Sequence, residues 1–411
     1  MRNPVNTFVI VGGGLAAGKA AEALRKHGHS GPLVIIGDED EKPYTRPPLS
    51  KGYLLGTEER DSIFVHPDDW YREHDVDLLL GTRARAVHRR ARTVELDDGR
   101  HVPYTKLLLA TGSTPRHLSV PGAGLDNVLY LRRVGDSERL KSAFRAGAKI
   151  VVIGAGWIGL ETAAAARTAG AEVTVLEHGE LPLLKVLGRQ AAEVFAALHA
   201  DHGVNLLTDV QVESLTGTDG RVDGVRLADG RHLTADAVLV GIGISPNVQL
   251  AEEAGLDVRN GIVTDERLQT SAADIYAAGD VANAYHPLLG RHLRVEHWAN
   301  ALNQPEVAAL SMLGKEAVYD RLPYFYTDQY DLGMEYVGYA EPGGYDRVVF
   351  RGEPSERRFI AFWMAGNRVL AGMNVNVWDV VDPIRSLITS GADIDDARLS
   401  DPDVPLERLL P

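Results

Sequence analysis

The sequence predicts an α/β protein with two similar parallel-sheet domains, the second inserted into the first, and a smaller α+β domain at the C-terminal end. Three observations support this prediction. A glycine-rich turn between an apolar strand and a helix occurs twice, each copy leads to a second strand that ends in an acidic residue, and an apolar strand followed by glycine and aspartate returns late in the chain. The length of 411 residues is sufficient for two or three domains that each bury a core.

The first glycine turn begins at Gly12, directly after the apolar run Phe8–Val11, which is typical of a buried parallel strand. It reads Gly-x-Gly-x-x-Ala, and an alanine-rich helical pattern and the strand Leu33–Ile36 follow; Asp38 and Glu39 come just after that strand. In such a turn the first glycine permits a sharp bend, the second lets the backbone approach a pyrophosphate, and the acid accepts a hydrogen bond from a ribose hydroxyl. The pattern therefore predicts a Rossmann-like dinucleotide-binding domain.

The second glycine turn follows the strand Lys149–Ile153 and reads Gly-x-Gly-x-x-Gly from Gly154 to Gly159. A helical pattern and the strand Glu172–Leu176 come next, and Glu177 ends that strand. One such turn is a weak signal, but two complete copies favour two dinucleotide sites over turns that serve packing alone. Two dinucleotides in one chain indicate two cofactors that exchange electrons, and the natural pair is a flavin and a nicotinamide.

A second sequence similarity links the two predicted dinucleotide-binding domains. The apolar strand and small-residue turn of Leu107–Pro115 resemble those of Ala237–Pro246, and Ile275–Asp280 has the pattern of a strand that closes the first domain. Asp280 would then accept a hydrogen bond from a ribityl hydroxyl. The predicted boundaries are residues 1–115 and 245–322 for a discontinuous FAD-binding domain, 116–244 for an NAD-binding domain and 323–411 for the C-terminal domain.

Composition excludes several classes of function. The sequence contains no cysteine, so a disulfide framework, a thiolate nucleophile, a dithiol redox pair and an iron–sulfur cluster bound by this chain are excluded. A net charge of −14 disfavours a nucleic-acid partner. The apolar runs Phe8–Gly18 and Ile150–Leu160 are too glycine-rich or too short for a signal peptide or for the ~20 residues that span a bilayer, which predicts a cytoplasmic protein with no membrane partner. No metal site is predicted, because the close pair His27 and His29 lacks further ligands.

Beyond these patterns, the chain resembles a known family over nearly its whole length. The segments that carry the resemblance are Pro43–Lys51, Tyr130–Arg132, Gly159–Glu161, Glu296–Trp298 and Asp328–Tyr330. They are similar to those of the flavoprotein ferredoxin reductases of the putidaredoxin reductase type, which serve bacterial haem-thiolate monooxygenases and aromatic-ring dioxygenases. The mitochondrial apoptosis-inducing flavoproteins share much of the same pattern.

The resemblance implies roles for individual residues. The turn residues would line the FAD pyrophosphate, an acid after the second strand would bind the adenosine ribose, and a lysine would lie against the reactive edge of the isoalloxazine. The residues implied for FAD are Gly12, Gly14, Ala16, Ala17, Asp38 or Glu39, Arg46, Lys51, Ala84, Arg132, Asp280 and Trp298. Those implied for NADH are Gly154, Gly156, Ile158, Gly159 and Glu177, with Gly243 near the nicotinamide half.

Lys51 is expected to pair with Glu161 and to act in catalysis with it. A flavin that receives a hydride tends to become anionic, and a fixed ammonium stabilises that charge while a carboxylate keeps the ammonium protonated and oriented. Because the two residues belong to different predicted domains, the pair would also join the nicotinamide site to the flavin. Glu177 indicates NADH, since its carboxylate accepts a hydrogen bond from the 2′-hydroxyl and repels the 2′-phosphate of NADPH.

The expected activity is transfer of hydride from NADH to FAD, followed by single-electron transfers to a separate, small, acidic iron–sulfur ferredoxin that feeds a monooxygenase or dioxygenase. The protein would be a monomer or a weak homodimer. A basic run, Arg83–Arg92, is a candidate docking surface, although the solvated face of strands is the favoured interpretation. An aromatic cluster with members at Tyr324, Phe325, Tyr326 and Tyr330 is expected to seat the C-terminal domain near the flavin.

Two alternatives remain open. The first is an NADH oxidase or quinone reductase without a protein acceptor. The second is a redox-responsive interaction flavoprotein that resembles apoptosis-inducing factor.

Overall fold

The computed structural model describes residues 6–410. They form two compact units: the first contains the residues up to Arg46, Glu59–Thr114 and Ser245–Pro323, and the second contains Pro47–Glu58, Pro115–Ile244 and the residues from Tyr324 on. The first unit is thus discontinuous in sequence. The segment Pro47–Glu58, which the sequence pattern assigns to the FAD-binding domain, belongs to the second unit. The division into three domains with the boundaries given above stays a prediction.

The first unit is built on a five-stranded parallel sheet of short apolar runs. Such runs are stable when both faces of the sheet are covered. The strand order is Ile275–Ala277, Lys106–Leu109, Phe8–Val11, Leu33–Ile36 and Val76–Leu79. The late strand pairs in parallel with Lys106–Leu109, so it closes the sheet as the sequence predicts.

Helix Leu15–Lys26 covers one face of this sheet, and its buried alanines allow close packing against the strands. The remaining helices of the unit are Asp68–Glu73, Gln249–Glu253 and Trp298–Met312, with a 3₁₀ turn at Arg60–Ile63. Two small sheets complete it, one of Ala84–His88, Thr93–Leu96 and His101–Pro103, and one of Ile262–Thr264, Ala282–His286 and Arg291–Leu293.

The second unit repeats the parallel-sheet design. The order is Asn205–Leu207, Glu172–Leu176, Lys149–Ile153, Ala237–Val240 and Val128–Leu129. An antiparallel sheet of Val212–Thr218, Arg221–Leu227 and His232–Thr234 lies in the same unit. The helices of the unit are Gly52–Leu55, Val134–Ala143, Trp157–Thr168, Leu184–Leu187, Arg189–Asp201, Val381–Ser390 and Asp396–Ser400, with 3₁₀ turns at Pro47–Ser50, Pro354–Glu356 and Leu406–Arg408. The boundaries between the two units fall within the short strands Ser113–Pro115 and Ile244–Pro246.

The C-terminal part of the second unit is an antiparallel sheet. Its strands are, in order, Tyr324–Gln329, Leu332–Gly338, Arg368–Val375, Arg358–Ala365 and Arg347–Glu353. The aromatic cluster seats this sheet on helices of the same unit: the Phe325 ring lies 5.1 Å from that of Trp157, and Tyr330 stacks on His202 at 3.7 Å. Apolar side chains of the sheet and of these helices share one core. Within residues 6–410, no helix combines the length and apolar character that crossing a bilayer requires.

His199 is a fully buried polar residue at this helix–sheet contact. Its Nε2 lies 2.8 Å from Oε1 of Gln329, and its Nδ1 has no hydrogen-bond partner among the described residues. Burial lowers the pKa of the imidazole to about 4, against the opposing effect of the Gln329 hydrogen bond. The ring is therefore neutral at pH 7.

We predict that His199 makes the free energy of unfolding decrease as the pH is lowered. Between about pH 6.5 and pH 4 the unfolded chain binds a proton at His199 and the folded chain does not, so acid favours unfolding by about 3 kcal/mol over that window. Urea unfolding of the wild type and of His199→Gln at several pH values checks this prediction. The free energy of unfolding of the variant should decrease less over that pH window than that of the wild type. The matched control is His202→Gln, at a half-buried histidine. An equal dependence of the free energy of unfolding on pH in the wild type and in His199→Gln would show that His199 is not the group responsible.

Candidate functional site

The first glycine turn is shaped by two steric demands. Gly12 has φ +124°, and a Cβ there would stand 2.1 Å from the carbonyl oxygen of Ala110, so only glycine fits. Gly14 precedes helix Leu15–Lys26, and the nearest atom to its Cβ position is Nη2 of Arg46 at 3.9 Å. The first helical turn contains no acidic residue, and the small side chains of Ala16 and Ala17 are buried. This positively polarised helix end, beside a guanidinium, fits a pyrophosphate.

Arg46 is held beside this turn by a short hydrogen-bond network. Its Nη2 donates to Glu39 at 3.0 Å and its Nη1 donates to the hydroxyl of Tyr44 at 2.9 Å, while that hydroxyl donates to Glu39 at 2.6 Å. Burial raises the pKa of Tyr44, so the phenol stays neutral. Although burial disfavours the charged guanidinium, Tyr44 and Glu39 outweigh it and raise the pKa of Arg46. Asp38, the other acid after this strand, is exposed.

Asp280 lies at the carboxyl end of the closing strand, at the sheet edge where the Gly12 turn also begins, because the strands are parallel. The hydroxyl of Ser113 donates to its Oδ2 at 2.9 Å. Burial lowers the pKa of His297 to about 4, against the opposing charge of Asp280. This imidazole is therefore neutral at pH 7, and the next residue, Trp298, begins helix Trp298–Met312.

The second glycine turn repeats the first. Gly154 has φ +100°, and a Cβ there would stand 2.4 Å from the carbonyl oxygen of Gly241. A Cβ at Gly159 would stand 2.0 Å from the carbonyl oxygen of Gly154, which explains the close packing of helix on turn. In contrast, no heavy atom lies within 4 Å of the Cβ position of Gly156 among the described residues, so the backbone there is open to a ligand. This cradle fits a second pyrophosphate.

Glu177 is fixed next to this second turn. Its Oε2 accepts from the N–H of Ala155 at 2.9 Å and its Oε1 accepts from the N–H of Gly179 at 2.7 Å. These two backbone hydrogen bonds hold the carboxylate in one orientation. The side chain of Ile158, in the first turn of the following helix, is 45% exposed. Gly243, with φ +97°, is exposed near the end of the strand Ala237–Val240.

Lys51 and Glu161 form an ion pair inside the second unit. Lys51 begins the short helix Gly52–Leu55, and Glu161 lies on helix Trp157–Thr168. The side chain of Glu161 is only 6% exposed and that of Lys51 15% exposed, so water screens the pair little. Because both residues belong to one compact unit, the pair fixes the segment Pro47–Glu58 onto the nucleotide-binding part of that unit.

Two hydroxyl groups complete the surroundings of Glu161. Ser50 donates to Oε2 at 2.5 Å, and Thr327, from the C-terminal sheet, donates to Oε1 at 2.6 Å. A buried ion pair requires such additional hydrogen bonds to offset its desolvation. Neither residue was predicted. Ser50 lies within the family segment Pro43–Lys51 and Thr327 directly before the segment Asp328–Tyr330, but no local signal shows that strand Tyr324–Gln329 reaches residue 161.

Further acidic and aromatic groups surround the ammonium. The Lys51 Nζ lies 5.7 Å from the ring centroid of Tyr326, within cation–π range. Burial raises the pKa of Asp328, Lys51 opposes this, and the charges of Glu161 and Glu335 add to the rise. Burial, with help from nearby carboxylates, raises the pKa of Tyr326 to about 12, so that phenol is neutral at pH 7.

Two further residues predicted to bind FAD are Ala84 and Arg132. Ala84 is buried at the start of strand Ala84–His88 in the first unit. Arg132 lies in the second unit, where its N–H donates to Asp136 at 3.0 Å. Thus Lys51 and Arg132 are in the second unit, whereas the other residues predicted for FAD are in the first.

The basic run is the exposed face of an edge strand. Its arginines at 83, 85, 89, 90 and 92 are exposed, while Ala84 and Val87 are buried. Arg92 pairs with Asp274, and Arg89 donates to the carbonyls of Ala254 and Gly255 at 3.2 and 3.1 Å. The alternation of exposed arginines with buried Ala84 and Val87 agrees with the interpretation that this run is the solvated face of a strand.

Comparison with known proteins gives matches along almost the entire chain. Residues 6–304 match the family model for pyridine nucleotide-disulphide oxidoreductases, and residues 324–410 match the reductase C-terminal model. The anthranilate 1,2-dioxygenase system ferredoxin–NAD(+) reductase component of Burkholderia cepacia is 41% identical over 98% of this chain and 99% of the relative. Putidaredoxin reductase of Pseudomonas putida is 37% identical over 99% of this chain and 97% of the relative.

A solved structure is similar in both fold and sequence. The crystal structure of the covalent putidaredoxin reductase–putidaredoxin complex matches with a TM-score of 0.96 and 38% identity, over 99% of this chain and 99% of that chain. Both glycine turns fit the cofactors of such oxidoreductases, FAD and NAD(H). The chain therefore belongs to the pyridine nucleotide-disulphide oxidoreductase family, among the ferredoxin–NAD(+) reductases that carry a reductase C-terminal domain.

Proposed function

We propose that this chain is the reductase of an oxygenase system, which uses NADH to reduce a small acidic iron–sulfur ferredoxin that in turn feeds a monooxygenase or dioxygenase. The observation that carries the proposal is the presence of two similarly built phosphate cradles, at Gly14 and Gly156, in a chain without cysteine. The names of the anthranilate dioxygenase relative and of the putidaredoxin complex support a ferredoxin as the acceptor. We further propose a cytoplasmic monomer or weak homodimer without nucleic-acid or membrane partners.

In this proposal the first unit holds most of FAD. The N–H groups of the turn at Gly12 and Gly14, together with the guanidinium of Arg46, bind the pyrophosphate. Glu39 or Asp38 accepts from the adenosine ribose, and Ala84 contacts the adenine through its backbone. Bound FAD supplies the ability to accept a hydride and to release the two electrons one at a time.

Other side chains would orient the flavin end of that cofactor. Asp280, whose carboxylate is fixed by Ser113, accepts from a ribityl hydroxyl. Trp298 contacts the pyrimidine end of the ring, and Arg132 contacts the flavin or its phosphates. The neutral imidazole of His297 adds no second cation beside Asp280.

The second unit would bind NADH. The turn at Gly154, Gly156 and Gly159 receives the pyrophosphate, and Glu177 accepts from the adenosine ribose 2′-hydroxyl. The backbone donors hold the carboxylate of Glu177 in one orientation, so a 2′-phosphate would meet a fixed negative charge. Ile158 also contacts NADH, and Gly243 lies near its nicotinamide half.

Lys51 would provide a fixed positive charge where negative charge develops. Glu161 pairs with the ammonium of Lys51 and holds it in place, while Ser50 and Thr327 hold the carboxylate in one orientation. Preorganised charges of this kind lower a barrier without reorganisation during the reaction. With no thiol in the chain, the electrons must leave to a separate carrier.

Anaerobic stopped-flow tests the proposal. Holoprotein is first reduced with NADH and then mixed with a purified iron–sulfur ferredoxin, with a quinone or with oxygen. We expect rapid reduction of ferredoxin and slow reactions with the other two. Reaction with quinone or oxygen alone would instead identify an oxidase or quinone reductase, and a persistent charge-transfer absorbance with sluggish turnover would indicate a redox-responsive interaction protein.

A further inference from the structure

We propose that the small sheet of Ala84–His88, Thr93–Leu96 and His101–Pro103 carries a binding site for a divalent transition-metal ion, with His88, Glu95 and His101 as its ligands. This group of three is the one that metal-ligand geometry selects among the described residues. The proposed electron transfer does not use this group of residues, and no sequence motif identifies it. The close sequence pair His27 and His29 is not such a site, because His27 faces Glu306 and His29 stacks on Phe8.

The strand register brings the three side chains to one face of the sheet. Glu95 lies directly opposite His101 on one side and opposite Ala86 on the other. His88 is two residues beyond Ala86, so it lies on the same face as Glu95 and diagonal to it. Three strands thus contribute one ligand each, which a local sequence motif does not reveal.

The opposite face of the sheet fixes these positions. Val87 and Val94, which alternate with the ligands, are buried in the core of the first unit. The side chains of His88 and Glu95 are 44% and 36% exposed, and His101 is also exposed. The backbone is therefore held firmly while the ligand atoms are accessible to an ion from solution and leave a coordination position for water.

The donor atoms are already close together. One donor atom from each residue lies within 4.8 Å of the other two, and His88 Nε2 is 2.8 Å from Glu95 Oε2. Tetrahedral metal–ligand bonds of about 2.0–2.2 Å place the donor atoms roughly 3.4 Å apart. The donors of His88 and Glu95 must therefore move slightly apart and the wider spacings must shorten, and rotation of the exposed side chains allows both changes. Two imidazoles and one carboxylate suit zinc, nickel or copper better than calcium or magnesium.

Local charge limits the affinity of the site. The exposed arginines of the run Arg83–Arg92, of which Arg85 lies on the same strand as His88, repel a cation. We therefore expect micromolar affinity, not the tighter binding of a closed structural site.

Calorimetric titration of untagged, oxidised FAD-loaded protein with Zn²⁺, after removal of metals with a chelator, tests the proposal. We expect one Zn²⁺ per chain, and Cu²⁺ bound at the same site should show nitrogen ligands in its electron paramagnetic resonance spectrum. His101→Ala and His88→Gln should each weaken binding roughly 10- to 100-fold. Zn²⁺ should also raise the melting temperature of the wild type but not of these variants.

The matched control is His232→Ala, since His232 is another exposed histidine on a three-stranded sheet next to a carboxylate, that of Asp223. It belongs to no three-ligand group within residues 6–410. Flavin absorbance and circular dichroism establish that each variant is folded. The proposal is overturned by absence of saturable binding in the wild type, or by equal affinity in the wild type and in both ligand variants.

Discussion

Replacing Lys51 with methionine should lower kcat for NADH-dependent electron transfer by about 100-fold, the scale expected when a preorganised charge is removed from a developing anion. The ammonium is nearly buried and is held in place by Glu161. Stopped-flow measurement of flavin reduction by NADH reports the effect. Lys19→Met, which removes a partly exposed lysine paired with Glu22 on helix Leu15–Lys26, is the control and should leave the rate unchanged. A Lys51→Met rate within twofold of the wild type would remove Lys51 from the mechanism.

A stability cycle separates this catalytic effect from damage to the fold. Lys51→Met leaves the buried Glu161 carboxylate with hydroxyl donors from Ser50 and Thr327 but without its counter-ion, at an expected cost of about 3 kcal/mol. Glu161→Gln in the same chain should restore most of that stability but not the rate. If the double variant is as unstable as Lys51→Met, the buried charge is not the cause.

Replacing Glu177 with alanine should lower the preference for NADH over NADPH, expressed as the ratio of kcat/KM values, by roughly 10- to 100-fold. The variant loses a hydrogen-bond acceptor for the ribose hydroxyl of NADH and loses the fixed charge that repels the NADPH phosphate. Glu180→Ala is the control, because that carboxylate is exposed and pairs with Arg189. An unchanged ratio in Glu177→Ala would contradict the assigned role.

Glu177→Gln distinguishes charge from geometry. The amide oxygen can still accept from one of the two backbone donors, Ala155 or Gly179. Repulsion of the phosphate disappears, so activity with NADPH should rise while activity with NADH falls little. A fall with both coenzymes would indicate that the second turn itself has been disturbed.

The parallel-sheet units could be predicted because their signals are local. A positive φ at Gly12 and Gly154, with a carbonyl oxygen where a Cβ would stand, requires glycine whatever the rest of the chain does. The short apolar strands and the alanine-rich helices around the turns are equally local. The closing strand Ile275–Ala277 could be found because it repeats the pattern of an earlier strand.

The surroundings of the Lys51–Glu161 pair depend on long-range packing and could not be predicted. The pair itself came from family resemblance, but the hydroxyls of Ser50 and Thr327 reach Glu161 from distant parts of the sequence. Similarly, the segment Pro47–Glu58 is adjacent in sequence to the first unit and yet packs within the second.

The ligand group of the small sheet shows the same limit in a different way. His88, Glu95 and His101 have no spacing that identifies a metal site in the sequence. Only the antiparallel register, with an irregularity between Ala84 and Ala86, brings them to one face.

We propose that a bound flavin divides the electron pair of NADH between external one-electron carriers without any sulfur relay in the chain. The test is an anaerobic titration in which limiting NADH is added to catalytic holoprotein with excess oxidised iron–sulfur ferredoxin, and reduced ferredoxin is counted from its absorbance. We expect two ferredoxins to be reduced for each NADH consumed. A reconstituted protein without flavin absorbance, or NADH consumption without ferredoxin reduction, would contradict it.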